Sequence, residues 1–288
     1  MSNSKNKKDK KLSPLRILEQ RFISSIHIYS ITIKMFPMKK IIIVLACFPV
    51  FFTSCTSSTE SKNNETTNDT SKISTATPAP LREKVLTAEE QKALTPDMVI
   101  QSLKDGNKRF MSNNVTARDH SAMVRSASTG QYPKAVILSC LDSRVPVEDV
   151  FDKGIGDIFV ARVAGNFANT DILGSMEFGC KVSGAKVILV LGHESCGAIK
   201  AAIDNVKLGN ITGMLKNMQP AVQESQDFNG EKKSSNSAFV EYVAKNNVLN
   251  TIETIRQKSP ILKEMQDKGE IKIIGAYYNL QTGEVVFL

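Results

Sequence analysis

Ser-Cys-Leu-Asp-Ser-Arg at residues 139–144 and Gly-His-Glu-Ser-Cys-Gly at residues 192–197 each follow directly on a short apolar run. The two runs, residues 135–138 and 186–191, are rich in β-branched side chains and end at polar residues, a pattern typical of buried parallel strands. Open α/β sheets place their ligands beyond the carboxyl ends of such strands. We therefore expect the two motifs to lie side by side at one edge of a parallel sheet.

Together the two motifs carry three residues that can bind zinc. His193 and Cys196 are spaced so that a loop turning into a helix can present both, and Cys140 comes from the neighbouring strand end. The helix dipole would favour the thiolate form of Cys196. Zn²⁺ takes thiolate sulfur and imidazole nitrogen in tetrahedral sites, and three protein ligands leave a fourth position open. The sequence therefore predicts one catalytic zinc per chain.

A disulfide between Cys140 and Cys196 is an alternative for the same cysteines. Of the five cysteines, Cys47 and Cys55 lie in or beside an N-terminal apolar stretch, which leaves an odd number in the rest of the chain. A disulfide would suit an oxidising compartment, but it would leave the histidine of the second motif without a role. Cys180 falls within a predicted helix, where we expect it to be a buried apolar residue.

Asp142 and Arg144 extend the first motif toward catalysis. A bidentate arginine can hold a carboxylate in a fixed orientation and keep it ionised. Such a carboxylate can accept a hydrogen bond from a zinc-bound hydroxide, the nucleophile that zinc makes available near neutral pH. Two alternatives stay open: a purely structural ion pair, or Asp142 as a fourth zinc ligand.

Strands and helices alternate from residue 135 onwards. The predicted strands at 135–138, 157–162 and 186–191 are separated by a short helix opening at Pro146 and by a helix across residues 173–182. This β-α-β-α-β order is typical of a parallel sheet with right-handed crossovers. We assign the chain to the α/β class, with a mostly parallel central sheet flanked by helices.

Further elements are predicted on either side of this unit. Thr95-Pro96 and Ser259-Pro260 each read as an N-cap followed by the first helical residue, and another helix is expected to begin at an N-cap at Ser237. Residues 112–131 are polar and predict a long loop, with His120 as a solvated side chain or a proton relay. A helix at 196–206 and a terminal hairpin over residues 271–277 and 284–287 complete the prediction.

The N-terminal part divides into three segments. Residues 1–37 precede a plausible start at Met38 and are expected to be an upstream extension. Residues 38–54 place two lysines before an apolar core that is too short for a membrane span and typical of a signal peptide. Residues 55–85 are rich in Ser, Thr and Asn and predict a flexible tether, so the folded domain is expected at 86–288.

The end of the apolar segment resembles a bacterial lipoprotein box. Small residues precede Cys55, and the resemblance implies cleavage before Cys55 and lipidation of that residue. An ordinary signal peptide or an uncleaved anchor are the alternatives. We expect a domain that is lipid-anchored in the bacterial envelope and faces the periplasm.

The net charge of +8 does not indicate a nucleic-acid partner. Residues 1–54 carry ten of the 37 Lys and Arg but only two of the 29 Asp and Glu, which leaves 27 of each sign in residues 55–288. The folded part is therefore neutral, and nucleic-acid binding is not expected.

Taken together, the motifs resemble those of the β-class carbonic anhydrases. The resemblance covers roughly residues 90–288 and rests on the motifs at 140–144 and 192–197 and on the run at 151–166 between them. It implies reversible hydration of carbon dioxide to bicarbonate and a proton, with one zinc held by Cys140, His193 and Cys196. It also implies the pairing of Asp142 with Arg144.

The resemblance further implies a substrate pocket. Plant-like members line it with a glutamine nine residues before the first zinc cysteine, and that position here is Gln131. The other pocket positions are occupied by Phe159, Ala164, Phe178 and Gly197.

Two more properties follow from the same resemblance. Members regulated by bicarbonate carry a tryptophan where this chain has Ile137, and the chain contains no Trp. The resemblance therefore implies the plant-like type, whose metal site is open at rest. Family members are obligate dimers that often double, with each active site at the dimer interface, so a homodimer or a higher even oligomer is expected.

Three other functions compete with this interpretation. A relative that hydrolyses CS2 or COS would need an altered pocket, which Gln131 argues against. A non-catalytic zinc protein would be favoured by the loss of Asp142 or Arg144, and both are present. A thiol-redox protein fits least, because Cys140 and Cys196 do not form a Cys-x-x-Cys motif.

Overall fold

The computed structural model describes residues 84–288. The predicted upstream extension at 1–37, the signal peptide at 38–54, Cys55 and nearly all of the tether lie outside these residues. The predicted start of the domain at residue 86 lies two positions before the first helix. Within residues 84–288, none of the helices combines the length and apolarity that crossing a membrane requires.

A five-stranded sheet forms the centre of the domain. Its strand order is β2-β1-β3-β4-β5; β2, β1, β3 and β4 run parallel, and β5 pairs antiparallel with β4. The predicted α/β fold with a mostly parallel sheet is confirmed, as is the terminal hairpin. The strands are β1 (Ala135–Ser139), β2 (Ile158–Arg162), β3 (Val187–His193), β4 (Lys272–Tyr278) and β5 (Val285–Phe287).

Helices cover both faces of this sheet. Three precede it, two lie in the crossovers between β1, β2 and β3, and five separate β3 from β4. They are α1 (Ala88–Ala93), α2 (Pro96–Met111), α3 (His120–Ala127), α4 (Val147–Val150), α5 (Thr170–Glu177), α6 (Gly197–Ile203), α7 (Gly209–Leu215), α8 (Gln219–Glu224), α9 (Ser237–Lys258) and α10 (Pro260–Asp267). A π-helical turn, Phe178–Val182, continues α5, and a 3₁₀ turn, Ser225–Asp227, follows α8.

Side-chain caps explain where several helices begin. The Thr95 side chain accepts a hydrogen bond from the Met98 N–H and the Ser259 side chain accepts one from Leu262, so the two Thr/Ser-Pro starts are confirmed. The predicted N-cap at Ser237 is wrong by one residue. The Asn236 side chain accepts the Ala238 N–H instead, and Asn caps a helix as well as Ser does.

The predicted loop at 112–131 is also wrong in part, because it contains helix α3. The Asp119 side chain caps this helix by accepting a hydrogen bond from the Ala122 N–H. The Met123 side chain, which is only 4% exposed, anchors the helix to the domain. One apolar anchor in an otherwise polar segment is a weak periodic signal, which is why the pattern indicated a loop. His120 is the exposed first residue of this helix.

The two central strands are buried on both faces. On β1, Val136 and Leu138 belong to an apolar cluster with α5 and α9, whereas Ala135 and Ile137 face a second cluster with α2 and α4. Each fully buried large aliphatic side chain contributes roughly 1.5–3 kcal/mol, so this layer fixes the register of β1 against β3. That register places Ser139 beside Leu191, so the two motifs leave the sheet at the same edge.

Glycines allow the helices to pack closely on this core. A Cβ on Gly106 of α2 would lie 1.8 Å from the Phe151 carbonyl oxygen, so only glycine allows this helix to pack as closely as it does. On the sheet, a Cβ on Gly192 or Gly275 would lie 2.7 or 2.6 Å from a Val248 methyl group. Helix α9 therefore packs directly on β3 and β4 through Val248, and Gly192, one of the residues it contacts, belongs to the second motif.

Candidate metal centre

Cys140, His193 and Cys196 converge at the carboxyl edge of the sheet. Cys140 follows β1, His193 is the last residue of β3, and Cys196 is the N-cap residue of α6. Their ligand atoms lie within 4.8 Å of one another, and all three side chains are buried. The two sulfur atoms are 3.9 Å apart, close to the edge of about 3.8 Å that a tetrahedron with Zn–S bonds of about 2.3 Å requires. The structure thus brings together the three predicted ligands.

The disulfide alternative does not describe this pair. Cys140 and Cys196 are free thiols in the structure, and 3.9 Å is far beyond the roughly 2.05 Å of a sulfur–sulfur bond. Cys180 is also free and is 2% exposed in the π-helical turn, as the sequence predicted. Burial raises the pKa of the Cys180 thiol to about 12, so it is a structural residue.

Hydrogen bonding sets the orientation of His193. Its Nδ1 lies 2.9 Å from the Glu194 carbonyl oxygen, which can only accept, so Nδ1 carries the proton and Nε2 carries the lone pair. Nε2 is buried and has no hydrogen-bond partner among residues 84–288. A buried acceptor without a partner is costly, and a metal ion would take its lone pair. The donor set of two sulfurs and this nitrogen fits zinc.

Glu194 itself is held by the C-terminal hairpin. Its N–H donates to the Tyr278 carbonyl at 2.9 Å, and its Oε2 accepts the Leu280 N–H at 3.1 Å. Oε1 lies 3.4 Å from the Gln281 amide nitrogen. The carbonyl that orients His193 is therefore fixed by residues that are more than 80 positions away in the chain.

The Cys140 sulfur is favoured in its ionised form. Two contacts lower the Cys140 pKa to about 4: the one with the Cys196 thiol and the hydrogen bond from the Gly165 N–H, whose nitrogen is 3.3 Å from the sulfur. The same contact and burial raise the pKa of Cys196. The opposite shifts describe one proton held between two sulfurs, and a divalent cation would displace that proton.

Asp142 and Arg144 form the predicted ion pair at the rim of the cluster. The guanidinium holds both carboxylate oxygens, at 2.9 Å to Oδ1 and 2.7 Å to Oδ2, and the Arg144 N–H also donates to Oδ1 at 2.9 Å. These bonds hold the pKa of Asp142 far below its usual range. Oδ2 is 4.0 Å from His193 Nε2, so the carboxylate faces the cluster without belonging to the three-ligand group.

Arg162 is a site residue to which the sequence pattern assigned no role. From the end of β2 its guanidinium donates to the carbonyls of Cys140 at 3.0 Å and Asp142 at 3.2 Å, and also to that of Val145. Three bonds from one planar guanidinium hold the loop that carries the first cysteine and the ion pair. The available signal was an arginine at the end of a strand adjacent to β1, where it pairs in register with Ser139.

Two of the predicted pocket residues meet in an apolar pocket. Phe159 on β2 and Phe178 after α5 line a cavity of about 660 Å³, together with Val136 and Ala161. Phe178 is 54% exposed, which is unusual for such a large apolar side chain. This pocket does not include the three ligands of the metal centre.

The other three predicted pocket residues lie elsewhere in the chain. Ala164 is half-buried in the turn after β2, and Gly197 is the exposed first residue of α6. Gln131 is exposed and precedes β1, a five-residue strand that spans about 16 Å, whereas Cys140 follows it. Within one chain, therefore, Gln131 stands at the opposite end of β1 from the metal centre.

Comparisons with known proteins agree with this site. A family model described as carbonic anhydrase matches residues 135–285. Carbonic anhydrase 2 of Mycobacterium tuberculosis is 32% identical over 192 residues, covering 65% of this chain and 89% of that protein. Carbonic anhydrase of Mycolicibacterium smegmatis is 34% identical over 187 residues, covering 64% and 89%.

A solved structure extends the agreement to the fold. The β-carbonic anhydrase CcaA superposes with a TM-score of 0.53 at 25% identity, covering 65% of this chain and 94% of the other. The matched segment contains Cys140, His193 and Cys196, the group that can hold a metal ion. The chain belongs to the carbonic anhydrase family, in its β class, and is a zinc enzyme that reversibly hydrates carbon dioxide to bicarbonate and a proton.

Proposed function

We propose that Cys140, His193 and Cys196 hold the catalytic zinc and that Asp142 and Arg144 act on the nucleophile. The observation that carries this assignment is the convergence of three buried ligand atoms within 4.8 Å, one of them an Nε2 without a partner among the described residues. Zinc, when bound, acts as a Lewis acid that lowers the pKa of a coordinated water toward about 7.

The chain's own residues then orient the reaction. The Asp142 carboxylate stays ionised because Arg144 binds both of its oxygens, and its remaining lone pairs can accept a hydrogen bond from the nucleophilic water. Arg144 also reaches the Ser195 carbonyl at 3.5 Å, which ties the ion pair to the second motif. Arg162 holds the backbone below the carboxylate, so its orientation does not depend on a mobile loop.

The substrate pocket is completed by a second copy of the chain. Gln131, Phe159, Ala164, Phe178 and Gly197 are the proposed pocket residues, and one chain does not place Gln131 near its own metal centre. In the described sheet β2 is an edge strand, all five of its residues are half-buried, and an apolar pocket with the exposed Phe178 lies beside it. These features support a homodimer, or a higher even oligomer, with pocket residues from both chains.

The enzyme is of the plant-like type, whose metal site is open at rest. The support is the state of Asp142, whose two oxygens are both bound by Arg144. In addition, Ile137, at the position of the regulatory tryptophan, is fully buried in the middle of β1.

The enzyme is anchored in the bacterial envelope by a lipid on Cys55 and faces the periplasm. The support is the order of the sequence itself: two lysines, a short apolar core, small residues before Cys55 and a polar tether. In this arrangement the tether carries the domain away from the membrane.

Stopped-flow measurement of carbon dioxide hydration, with zinc measured on the same sample, tests the assignment. One zinc per chain with activity that rises with pH is the expected result. One zinc per chain without hydration at any pH would overturn the catalytic assignment of these residues, and the same sample would then be tested with CS2 and COS.

A further inference from the structure

Helix α9 contributes two buried side chains to the loop beside the Cys140 sulfur. The Asn247 Nδ2 donates to the Gly165 carbonyl at 2.8 Å, and one turn later the Thr251 hydroxyl donates to the Asn166 carbonyl at 3.3 Å. Asn247 is 2% exposed and Thr251 is 4% exposed. The first contact joins residues 82 positions apart and the second joins residues 85 positions apart, so a local sequence motif could not have predicted them.

The loop they hold has a backbone conformation that needs support. Gly165 has a φ of +85° and Asn166 a φ of +39°, both in the left-handed region. A side chain at residue 165 would be strained by this φ, and its Cβ, 2.2 Å from the Met218 sulfur, would force Met218 to move. A non-glycine residue held in the left-handed region costs of the order of 1–3 kcal/mol and persists only where its surroundings impose it. The hydrogen bonds from Asn247 and Thr251 help to impose this conformation on the loop.

This conformation aims a backbone donor at the metal centre. The Gly165 N–H points to the Cys140 sulfur, with 3.3 Å between the nitrogen and the sulfur. A hydrogen bond to a metal thiolate withdraws charge from the sulfur and fixes its direction. Residues that hold such donors tune the metal although they do not touch it.

We infer that Asn247 is a positioning residue for the metal centre. Its amide fixes the Gly165 backbone so that the Gly165 N–H stays bonded to the Cys140 sulfur, and Thr251 assists by holding the next carbonyl. The inference rests on the proposed role of Cys140 as a zinc ligand.

Cobalt substitution of the full-length protein tests this role, because sulfur-to-cobalt charge-transfer absorption reports the charge on the thiolates. Asn247→Leu is compared with Asn246→Leu, a matched control. Asn246 is the preceding residue of the same helix, but its amide donates to the Ser225 hydroxyl at 2.8 Å, away from the loop.

The Asn247→Leu variant is expected to shift the charge-transfer band to lower energy, since its sulfur has lost a hydrogen bond. Its zinc dissociation constant, measured by competition with a chelator, is expected to rise about tenfold, the low end of the effects of outer-shell residues. The Asn246→Leu control is expected to change neither. An unmoved band in Asn247→Leu, or an equal shift in the control, overturns the inference.

Two further variants keep the test decisive. Thr251→Val keeps the shape of the side chain and removes its donor, so a smaller shift in the same direction is expected even if Asn247→Leu does not fold. An unmoved band in Thr251→Val then overturns the inference. Cys140→Ser is expected to lose a large part of the charge-transfer intensity. If the intensity of Cys140→Ser is unchanged, both the proposed ligand set and the inference are wrong. If Cys140→Ser loses intensity as expected but the band of Asn247→Leu does not move, only the inference is wrong.

Discussion

Arg144 binds both carboxylate oxygens of Asp142, with 2.9 Å between Nε and Oδ1 and 2.7 Å between Nη2 and Oδ2. The pair is formed by residues two positions apart, yet it faces a histidine from another strand, with Oδ2 4.0 Å from His193 Nε2. A local turn thus sets the geometry of the ion pair, and the sheet places His193 opposite it.

The first prediction concerns this pair. Asp142→Asn is expected to lower kcat about 100-fold, because the amide no longer presents an ionised acceptor to the nucleophile. Arg144→Lys is expected to cost about tenfold, since an ammonium group cannot bind both oxygens as a planar guanidinium does. Stopped-flow hydration measures both effects. The zinc content should stay at one per chain, and loss of zinc from Asp142→Asn would instead identify Asp142 as a ligand.

The second prediction concerns the three cysteines of the domain. Cys196→Ala is expected to lose both zinc and activity, because only one thiolate and one imidazole would remain. Cys180→Ala is the control and should keep both, since Cys180 is a buried free thiol outside the ligand group.

Alkylation adds a readout that does not depend on activity. Zinc is expected to protect Cys140 and Cys196 from a thiol reagent, because a coordinated thiolate is less nucleophilic than a free one. Mass spectrometry of the apo and zinc-loaded protein compares their labelling. Complete labelling of the two cysteines in both forms would show that zinc does not bind them.

The third prediction concerns stability. The Asp152 carboxylate is fully buried and accepts hydrogen bonds from Arg109 Nε at 2.6 Å, from the Thr116 hydroxyl at 2.6 Å and from Arg118. Asp152→Asn is expected to lower the free energy of unfolding by about 3 kcal/mol, because two arginines lose their charged partner. Chemical denaturation measures this, with the exposed Asp149→Asn as the control, for which a change within about 0.5 kcal/mol is expected.

Acid should reduce this effect. Burial disfavours the ionised form of Asp152, but the bonds from Thr116 and Arg109 outweigh burial, so its pKa is lower in the folded protein than in the unfolded chain. A lowered pKa gives stability that is fully present above the unfolded value of about 3.9 and is lost as the pH falls through the folded value. The difference between parent and Asp152→Asn should therefore shrink below about pH 4. A difference that grows on acidification would contradict the assignment.

The fourth prediction concerns the shared active site. Gln131→Ala and Asp142→Asn are each expected to be impaired alone, but a mixed dimer should contain one intact site if Gln131 serves the metal centre of its partner. Random pairing of equal amounts would restore about a quarter of the parent sites. Hydration after co-expression, compared with a simple mixture of the two purified variants, measures the recovery. Activity that never exceeds that of the simple mixture would place Gln131 outside the partner's site.

The fifth prediction concerns the anchor. Cys55→Ser is expected to move the protein from the membrane fraction to the soluble fraction and to abolish labelling with a radioactive fatty acid, because the thiol that carries the lipid is gone. Cys47→Ser is the matched control and should leave both unchanged. Lipid labelling that persists in Cys55→Ser would refute lipidation at this residue.

Much of the fold followed from local patterns. The runs before Cys140 and His193 predicted β1 and β3, and Thr95-Pro96 and Ser259-Pro260 predicted the starts of α2 and α10, because apolar periodicity and caps act over a few residues. Helix α3 was missed, since its one buried anchor carries too little of that signal. The parallel pairing of β4 with β3 was not predicted either, as strand pairing depends on contacts far apart in the chain.

The residues of the metal centre also fall into those that local sequence reveals and those that only the tertiary structure reveals. Sequence was enough to identify Cys140, His193 and Cys196, because residue chemistry and position at strand ends are local properties. It could not give the roles of Arg162 and Asn247, which act through hydrogen bonds to backbone groups 17 to 82 positions away. Any side chain of the right length can reach a carbonyl, so residue type alone does not reveal such a bond. Only the packing of β2 and α9 against the site specifies which carbonyl each one holds.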